Sequence, residues 1–160
     1  TDIEATPSET TLRNLQASAS LGGLRDLLPL GGIEGFVSAD FSELHIRDEW
    51  PVQAVGEIRV GELVVPPMLA PAGGALIPLG NYRVRFAASS GSEFLGNFED
   101  QGGPLEVSGS VLLSPDRSYV IGGAARARPN APPALTQGLE IMTAPPDASG
   151  LRAFNLAGSL

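Results

Sequence analysis

The chain contains no cysteine, and all ten of its basic residues are arginine. The absence of cysteine excludes disulfide frameworks, thiolate metal sites and thiol nucleophiles. It fits the cytosol and equally fits a bacterial periplasmic protein that folds on its core alone. The uncharged apolar runs are far shorter than the roughly 20 residues that a membrane-spanning helix needs. Because Thr1 is not an initiator methionine and no signal-peptide pattern follows it, we expect a piece of a longer protein, with any anchor upstream.

Glycine and proline are abundant, at 20 and 14 residues of 160. Both residue types interrupt helices, glycine through its backbone entropy and proline through its missing N–H. Hydrophobic residues make up 42% of the chain, which is enough to form a core and argues against disorder. The composition therefore predicts a folded protein built from short strands and many turns.

The negative charge lies mostly in the first part of the chain. Up to Glu62, eleven acidic residues and four arginines give −7, and the remainder, with seven and six, gives −1. A surface of this sign repels nucleic-acid phosphates and anionic lipid headgroups. We therefore predict no nucleic-acid partner.

The hydrophobic pattern divides the chain into a flexible lead-in, residues 1–11, and a single β-rich domain, residues 12–160. Residues 12–30 have no clean period, although Leu21, Leu24 and Leu28 allow a short helix. Strands are predicted from Gly32 onwards. The clearest strand covers residues 81–87, where Tyr82, Val84 and Phe86 alternate with two arginines and are expected to face the core.

Tight turns at residues 71–74, 89–92, 100–104 and 114–117 separate the later strands, which is typical of an antiparallel meander. One short helix is predicted near residues 134–142, after a proline-rich break, and a final strand at 151–160. Glycines recur inside the strands, as at Gly109 and Gly158, and predict bends or close backbone approach. The fold class is thus mainly all-β: a strongly curved antiparallel sheet, or a partly open β-barrel or sandwich meander.

No catalytic, cofactor or metal site is predicted. His45 is the single histidine, and as a strand residue it shares a face with Glu43 and Arg47, which predicts a solvated ionic cluster. The carboxylate pairs 48–49 and 99–100 are adjacent in sequence and border turns, so they do not converge on one substrate bond. A hydrolase that uses His45 remains an alternative, and it requires a serine and an aspartate within hydrogen-bond reach of that ring.

The segment from Tyr119 to Arg128 carries the predicted partner-binding residues. Arg126 and Arg128 lie two apart on an apolar strand, where a pair of guanidinium groups is suited to carboxylates of a partner protein. We therefore predict that Tyr119, Arg126 and Arg128 contact another protein.

Several motifs follow one another in the second half of the chain, at residues 78–84, 100–109, 119–123, 126–129, 147–152 and 156–160. In their order and spacing they resemble the periplasmic region of type II secretion system protein N, the general secretion pathway N protein. Trp50 to Leu63 adds a similar strand pattern, while Glu140-Ile141-Met142 departs from the Leu-Gly helix end expected in that family.

The resemblance implies a β-rich periplasmic domain of a bacterial inner-membrane protein, anchored by an N-terminal helix that precedes these residues. It implies a non-enzymatic scaffold or linker role in type II secretion, with no cofactor. The implied partners are a periplasmic N-domain of the outer-membrane secretin and other components of the machinery. An alternative is an inner-membrane-anchored lipid-handling bridge domain, in which the curved sheet forms an apolar trough. A continuous open groove favours that alternative, whereas a filled core favours the scaffold.

Overall fold

The computed structural model describes residues 1–6, 8–24, 32–66, 75–88 and 94–159. These residues form nine antiparallel strands in one sheet whose spatial order follows the chain order. The strands are β1 (Asp2–Ala5), β2 (Glu9–Ser20), β3 (Glu34–Arg47), β4 (Trp50–Val65), β5 (Ile77–Phe86), β6 (Phe94–Asp100), β7 (Leu105–Leu113), β8 (Ser118–Ala127) and β9 (Arg152–Ser159), and one α-helix, α1 (Pro133–Met142), precedes β9.

The predicted antiparallel meander with one short helix is confirmed. The sheet is open, with β1 and β9 as its two edges, and it does not close into a barrel. The turns at 100–104 and 114–117 lie where they were predicted, whereas the turns at 71–74 and 89–92 lie outside the described residues. α1 begins at Pro133, where proline fits because the first helical N–H groups have no partner within the helix.

The first part of the chain differs from the prediction. β1 and the beginning of β2 lie in residues 1–11, the expected lead-in, and β2 continues to Ser20. The register shows why the period is obscured: Arg13 pairs with Glu43 and Leu15 with Phe41, while Asn14, at φ 53°, and the opposing Ser42 are both left out of the pairing. At the same point β3 shifts its register against β4, between Phe41 and Glu43. Phe41 and Leu44, three residues apart, both pack in the core, so the side-chain alternation shifts there by one residue. Of the short helix expected at 21–28, residues 21–24 form a single 3-10 turn, and the rest lies outside the described residues.

The sheet curves strongly around its apolar side, which we call the concave face. The rings of Phe41 on β3 and Phe86 on β5 are 5.8 Å apart, although two strand spacings separate their backbones by about 10 Å in a flat sheet. At one end, the Arg117 guanidinium, in the turn between β7 and β8, lies 5.9 Å from the ring of Trp50 on β4. A bent sheet brings side chains from non-adjacent strands together in this way.

The core lies on the concave face and is small. Phe41, Ala54, Phe86 and Phe94 form its buried cluster, and Val84 packs against it. Within β5, Phe86 and Val84 thus face inward, and Tyr82 lines the same side further along, while Arg85 is exposed. The predicted phase of this strand is confirmed.

The recurrent strand glycines lie beneath aromatic rings on the concave face. A Cβ at Gly109 would lie 2.6 Å from the Phe98 ring and 2.8 Å from the Cα of Gly123, and would collide with the Gly122 carbonyl oxygen. At three further glycines, an added Cβ would also lie against an aromatic ring of a neighbouring strand: Gly96 against Phe86, Gly123 against Phe154 and Gly158 against Tyr119. The close approach predicted at Gly109 and Gly158 is confirmed.

Replacing Gly109 by alanine is expected to lower the free energy of unfolding by about 1–3 kcal/mol, because the added methyl group overpacks a site bounded by backbone. Gly122 is the matched control: it lies on the neighbouring strand β8, and the nearest atom to its Cβ position is 3.9 Å away. Urea unfolding of both alanine variants checks this result. Equal losses for the two variants would contradict the packing described here.

Candidate functional site

The two faces of the sheet have different chemistry. The face opposite the core, which we call the convex face, carries ion pairs between neighbouring strands. Arg83 pairs with Glu99 across β5 and β6, and Arg126 with Glu106 across β8 and β7, at 2.7 Å. Exposed pairs of this kind contribute little to stability but keep the face soluble. The concave face, by contrast, is apolar.

An apolar cavity of about 730 Å³ lies on the concave face beneath α1. The helix contributes Leu135, Gly138, Leu139 and Met142, and the sheet contributes a larger set of side chains. No residue of α1 is buried, so the helix stands off the sheet. The lining from the sheet strands consists of Val65, Ile77, Leu79, Tyr82, Phe98, Leu105, Val107, Ile121, Ala125, Phe154 and Leu156.

Few of the described residues that line this cavity are polar, and the two hydroxyl groups among them are bonded within the chain. The Tyr82 hydroxyl donates to the Leu79 carbonyl at 3.0 Å, and burial, followed by the nearby Asp100 carboxylate, raises the pKa of Tyr82 to about 12. The Thr143 hydroxyl donates to the Leu139 carbonyl at the end of α1. The cavity can therefore bind an apolar group, but it provides few hydrogen-bond partners for a polar one.

The two edges of the sheet also differ. β1 carries Asp2 and Glu4, and charges on an edge strand oppose pairing with another chain. β9 has no charged residue after Arg152. The Ala144 amide donates to the Ala153 carbonyl at 2.9 Å, so Ala153 directs its main-chain groups away from β8. By alternation, residues 155, 157 and 159 direct theirs to the same open side.

The three predicted partner-binding residues do not form one cluster. Tyr119 packs over Gly158 on the concave face, and Arg126 lies on the convex face, where it pairs with Glu106 and donates to the Ser149 carbonyl. Arg128 pairs with Asp100 at 2.8 Å and donates to the carbonyls of Gly103, in the turn before β7, and Leu105, at the start of β7. Both guanidinium groups are thus engaged within the chain, and their contact with a partner stays a prediction.

His45 lies in a small polar cluster on the surface of β3. Its Nε2 is 2.8 Å from a Glu43 carboxylate oxygen, and its Nδ1 is 3.2 Å from the Thr11 hydroxyl. Arg47 pairs with Glu9 instead. No serine–aspartate pair converges on the ring among its hydrogen bonds in the described residues, so the hydrolase alternative has no geometric support there.

Sequence reasoning missed the network around Asp100. Its carboxylate accepts from the amides of Val107, at 2.9 Å, and Gly102, at 3.1 Å, and pairs with Arg128. Desolvation opposes the charged form, but these hydrogen bonds outweigh it and lower the pKa of Asp100. The position of Asp100 before a Gly-Gly turn was the signal available, because aspartate commonly bonds to turn amides two residues on.

In the described residues, no helix has the length and apolarity to cross a membrane. Over the same residues, no three histidine, aspartate or glutamate side chains are grouped as a metal site would require.

The fold and its surfaces define a class of protein: an open antiparallel meander with an apolar concave face, an uncharged free edge and a charged convex face. The family described as type II secretion system (T2SS), protein N, matches the chain over residues 2–155. The chain belongs to this family, which gives it a role in type II secretion and thus in protein transport. No curated protein and no solved structure is significantly similar to it.

Proposed function

We propose that the chain is a non-enzymatic scaffold or linker of the type II secretion machinery that binds other components through the free edge of β9. The proposed location is the periplasm, as a domain of an inner-membrane protein anchored by a helix that precedes these residues. The proposed partner is a periplasmic N-domain of the outer-membrane secretin. Family membership supports the role in secretion, and the uncharged edge of β9 supports the mode of binding.

Strand addition suits this edge for a physical reason. A partner strand forms main-chain hydrogen bonds with unpaired N–H and C=O groups, which supply affinity, while alternate side chains supply specificity. Within the part of the chain that the structure describes, the edge of β9 offers such groups at residues 155, 157 and 159, and its apolar side chains include Leu156, which is 50% exposed. On β1, the carboxylates of Asp2 and Glu4 oppose the addition of a partner strand.

Replacing Ala157 by proline tests the proposal. Proline removes an N–H that points to the open side and leaves the β8 pairing intact, so binding to the secretin N-domains should weaken by about 1–3 kcal/mol while the thermal midpoint changes little. Ala157→Val is the matched control, because valine keeps the N–H and favours strands. Isothermal titration of the N-domains into wild type and both variants measures the effect. Equal affinities of wild type and Ala157→Pro would show that the interface lies elsewhere, and the segment with Arg126 and Arg128 would be the next candidate.

A further inference from the structure

We propose that the cavity beneath α1 binds one acyl chain of a zwitterionic phospholipid. This inference goes beyond the scaffold role and does not depend on it. Leu156 of β9 belongs both to the cavity lining and to the proposed docking edge, so different variants test the two proposals: Gly138→Leu for the cavity and Ala157→Pro for the edge. The volume is sufficient: a methylene group occupies roughly the 30 Å³ of a water molecule in the liquid, so a chain of about 16 carbons needs roughly 480 Å³. The cavity provides about 730 Å³.

The lining favours a hydrocarbon over a peptide. A peptide segment carries N–H and C=O groups that must find partners once they leave water. Among the described residues that line the cavity, Tyr82 and Thr143 already use their hydroxyl groups on main-chain carbonyls of this chain, and Gln137 is on the exposed part of α1. A hydrocarbon chain has no groups that need hydrogen-bond partners.

The charge of the protein favours a zwitterionic headgroup. No charged side chain belongs to the described lining, and Arg128 and Arg152 are paired with Asp100 and Glu140. The whole chain has a net charge of −8, most of it before residue 63. A fatty-acid carboxylate or an anionic phospholipid therefore finds no counter-charge in the lining and a weak long-range repulsion. A zwitterionic headgroup at the mouth of the cavity avoids this repulsion, while its acyl chain occupies the interior.

The experiment titrates decanoyl, lauroyl and myristoyl lysophosphatidylcholine, at monomeric concentrations, into the protein by isothermal calorimetry. The dissociation constant is expected to fall roughly fourfold for each added methylene group, which is the fold-change equivalent of removing one CH₂ from water. Lauroyl lysophosphatidylglycerol, which is anionic, is expected to bind more weakly at low salt, with the difference shrinking as salt rises.

Gly138→Leu locates the site. A Cβ at Gly138 meets nothing within 4 Å, so the leucine enters the cavity without a clash. Binding is expected to weaken about tenfold or more, since the side chain takes the place of several methylene groups at roughly fourfold each. The thermal midpoint should hold or rise, because glycine is a poor helix residue. Thr136→Leu is the matched control: Thr136 is exposed on the same helix and lies outside the lining.

Three results would overturn the proposal. They are affinities that do not depend on chain length, unchanged binding by Gly138→Leu, and saturable binding of an apolar peptide that competes with the lipid. Self-association of the protein that is abolished by Gly138→Leu would assign the cavity to a second copy of the chain instead.

Discussion

Replacing Phe86 by alanine is expected to lower the free energy of unfolding by about 3–5 kcal/mol. Phe86 is 8% exposed, and its ring centroid lies 4.7 Å from that of Phe94 and 5.8 Å from that of Phe41. The ring also covers Gly96, which has no side chain to move into the space. Truncation therefore leaves a cavity that its neighbours cannot refill. The shift of the urea midpoint at constant slope measures the loss.

Phe36→Ala is the matched control, because it removes the same atoms from a ring that is 60% exposed. Its cost should stay within about 0.5 kcal/mol, as is usual for surface substitutions. Phe86→Leu keeps most of the apolar volume and should fall between the two. A loss below about 1 kcal/mol for Phe86→Ala would show that this ring does not hold strands β3, β5 and β6 together.

Strict alternation made β5 predictable from the sequence, because Tyr82, Val84 and Phe86 repeat every second residue without interruption. The same rule failed for β2. Leu12 and Leu15 lie three apart and both face the core side, opposite Leu44 and Phe41, because the pairing of the two strands is interrupted at Asn14 and Ser42. A hydrophobic spacing of three indicates a helix as readily as a bulged strand, so local pattern alone does not decide.

The candidate surfaces were predictable to different degrees. The apolar side of α1 follows from the spacing of Leu135, Leu139 and Met142, and an apolar trough on a curved sheet was an open alternative. That the helix stands off the sheet, however, depends on how far the sheet curves, which no local pattern encodes. The ionic partners of Arg126 and Arg128 depend on the register of β7 and β8. From the sequence alone, the two arginines are therefore expected to be available to a partner protein, whereas in the fold both are paired within the chain.

Among the polar side chains of the described residues, Asp100 is the one whose loss of charge is expected to lower the free energy of unfolding most. Its side chain is 9% exposed, and it links the amides of Val107 and Gly102 to the Arg128 guanidinium. Asp100→Asn replaces an acceptor oxygen by an NH₂ donor, which cannot satisfy these donors and leaves Arg128 without its counter-charge. The expected loss is about 2–3 kcal/mol at neutral pH, in the range of hydrogen bonds to charged groups.

The loss should depend on pH in a defined direction. The Asp100 pKa is lowered in the folded protein from about 3.9 in the unfolded chain. A carboxyl of this kind contributes stability above its unfolded pKa and loses that contribution as the pH falls through the folded pKa. The stability difference between wild type and Asp100→Asn should therefore be constant near neutral pH and shrink below about pH 4. Urea unfolding of both proteins over that range measures it.

Glu99→Gln is the matched control, since it neutralises the adjacent carboxylate, which pairs with Arg83 on the convex face and is 45% exposed. Solvent screens that pair, so its loss should be much smaller. Equal losses for the two variants would show that Asp100 is a surface charge. The network also limits how Arg128 variants are interpreted, because a reversed charge there removes the Asp100 pairing. A binding defect in Arg128→Glu would support partner contact only if Asp100→Asn, with the same pairing broken, bound normally.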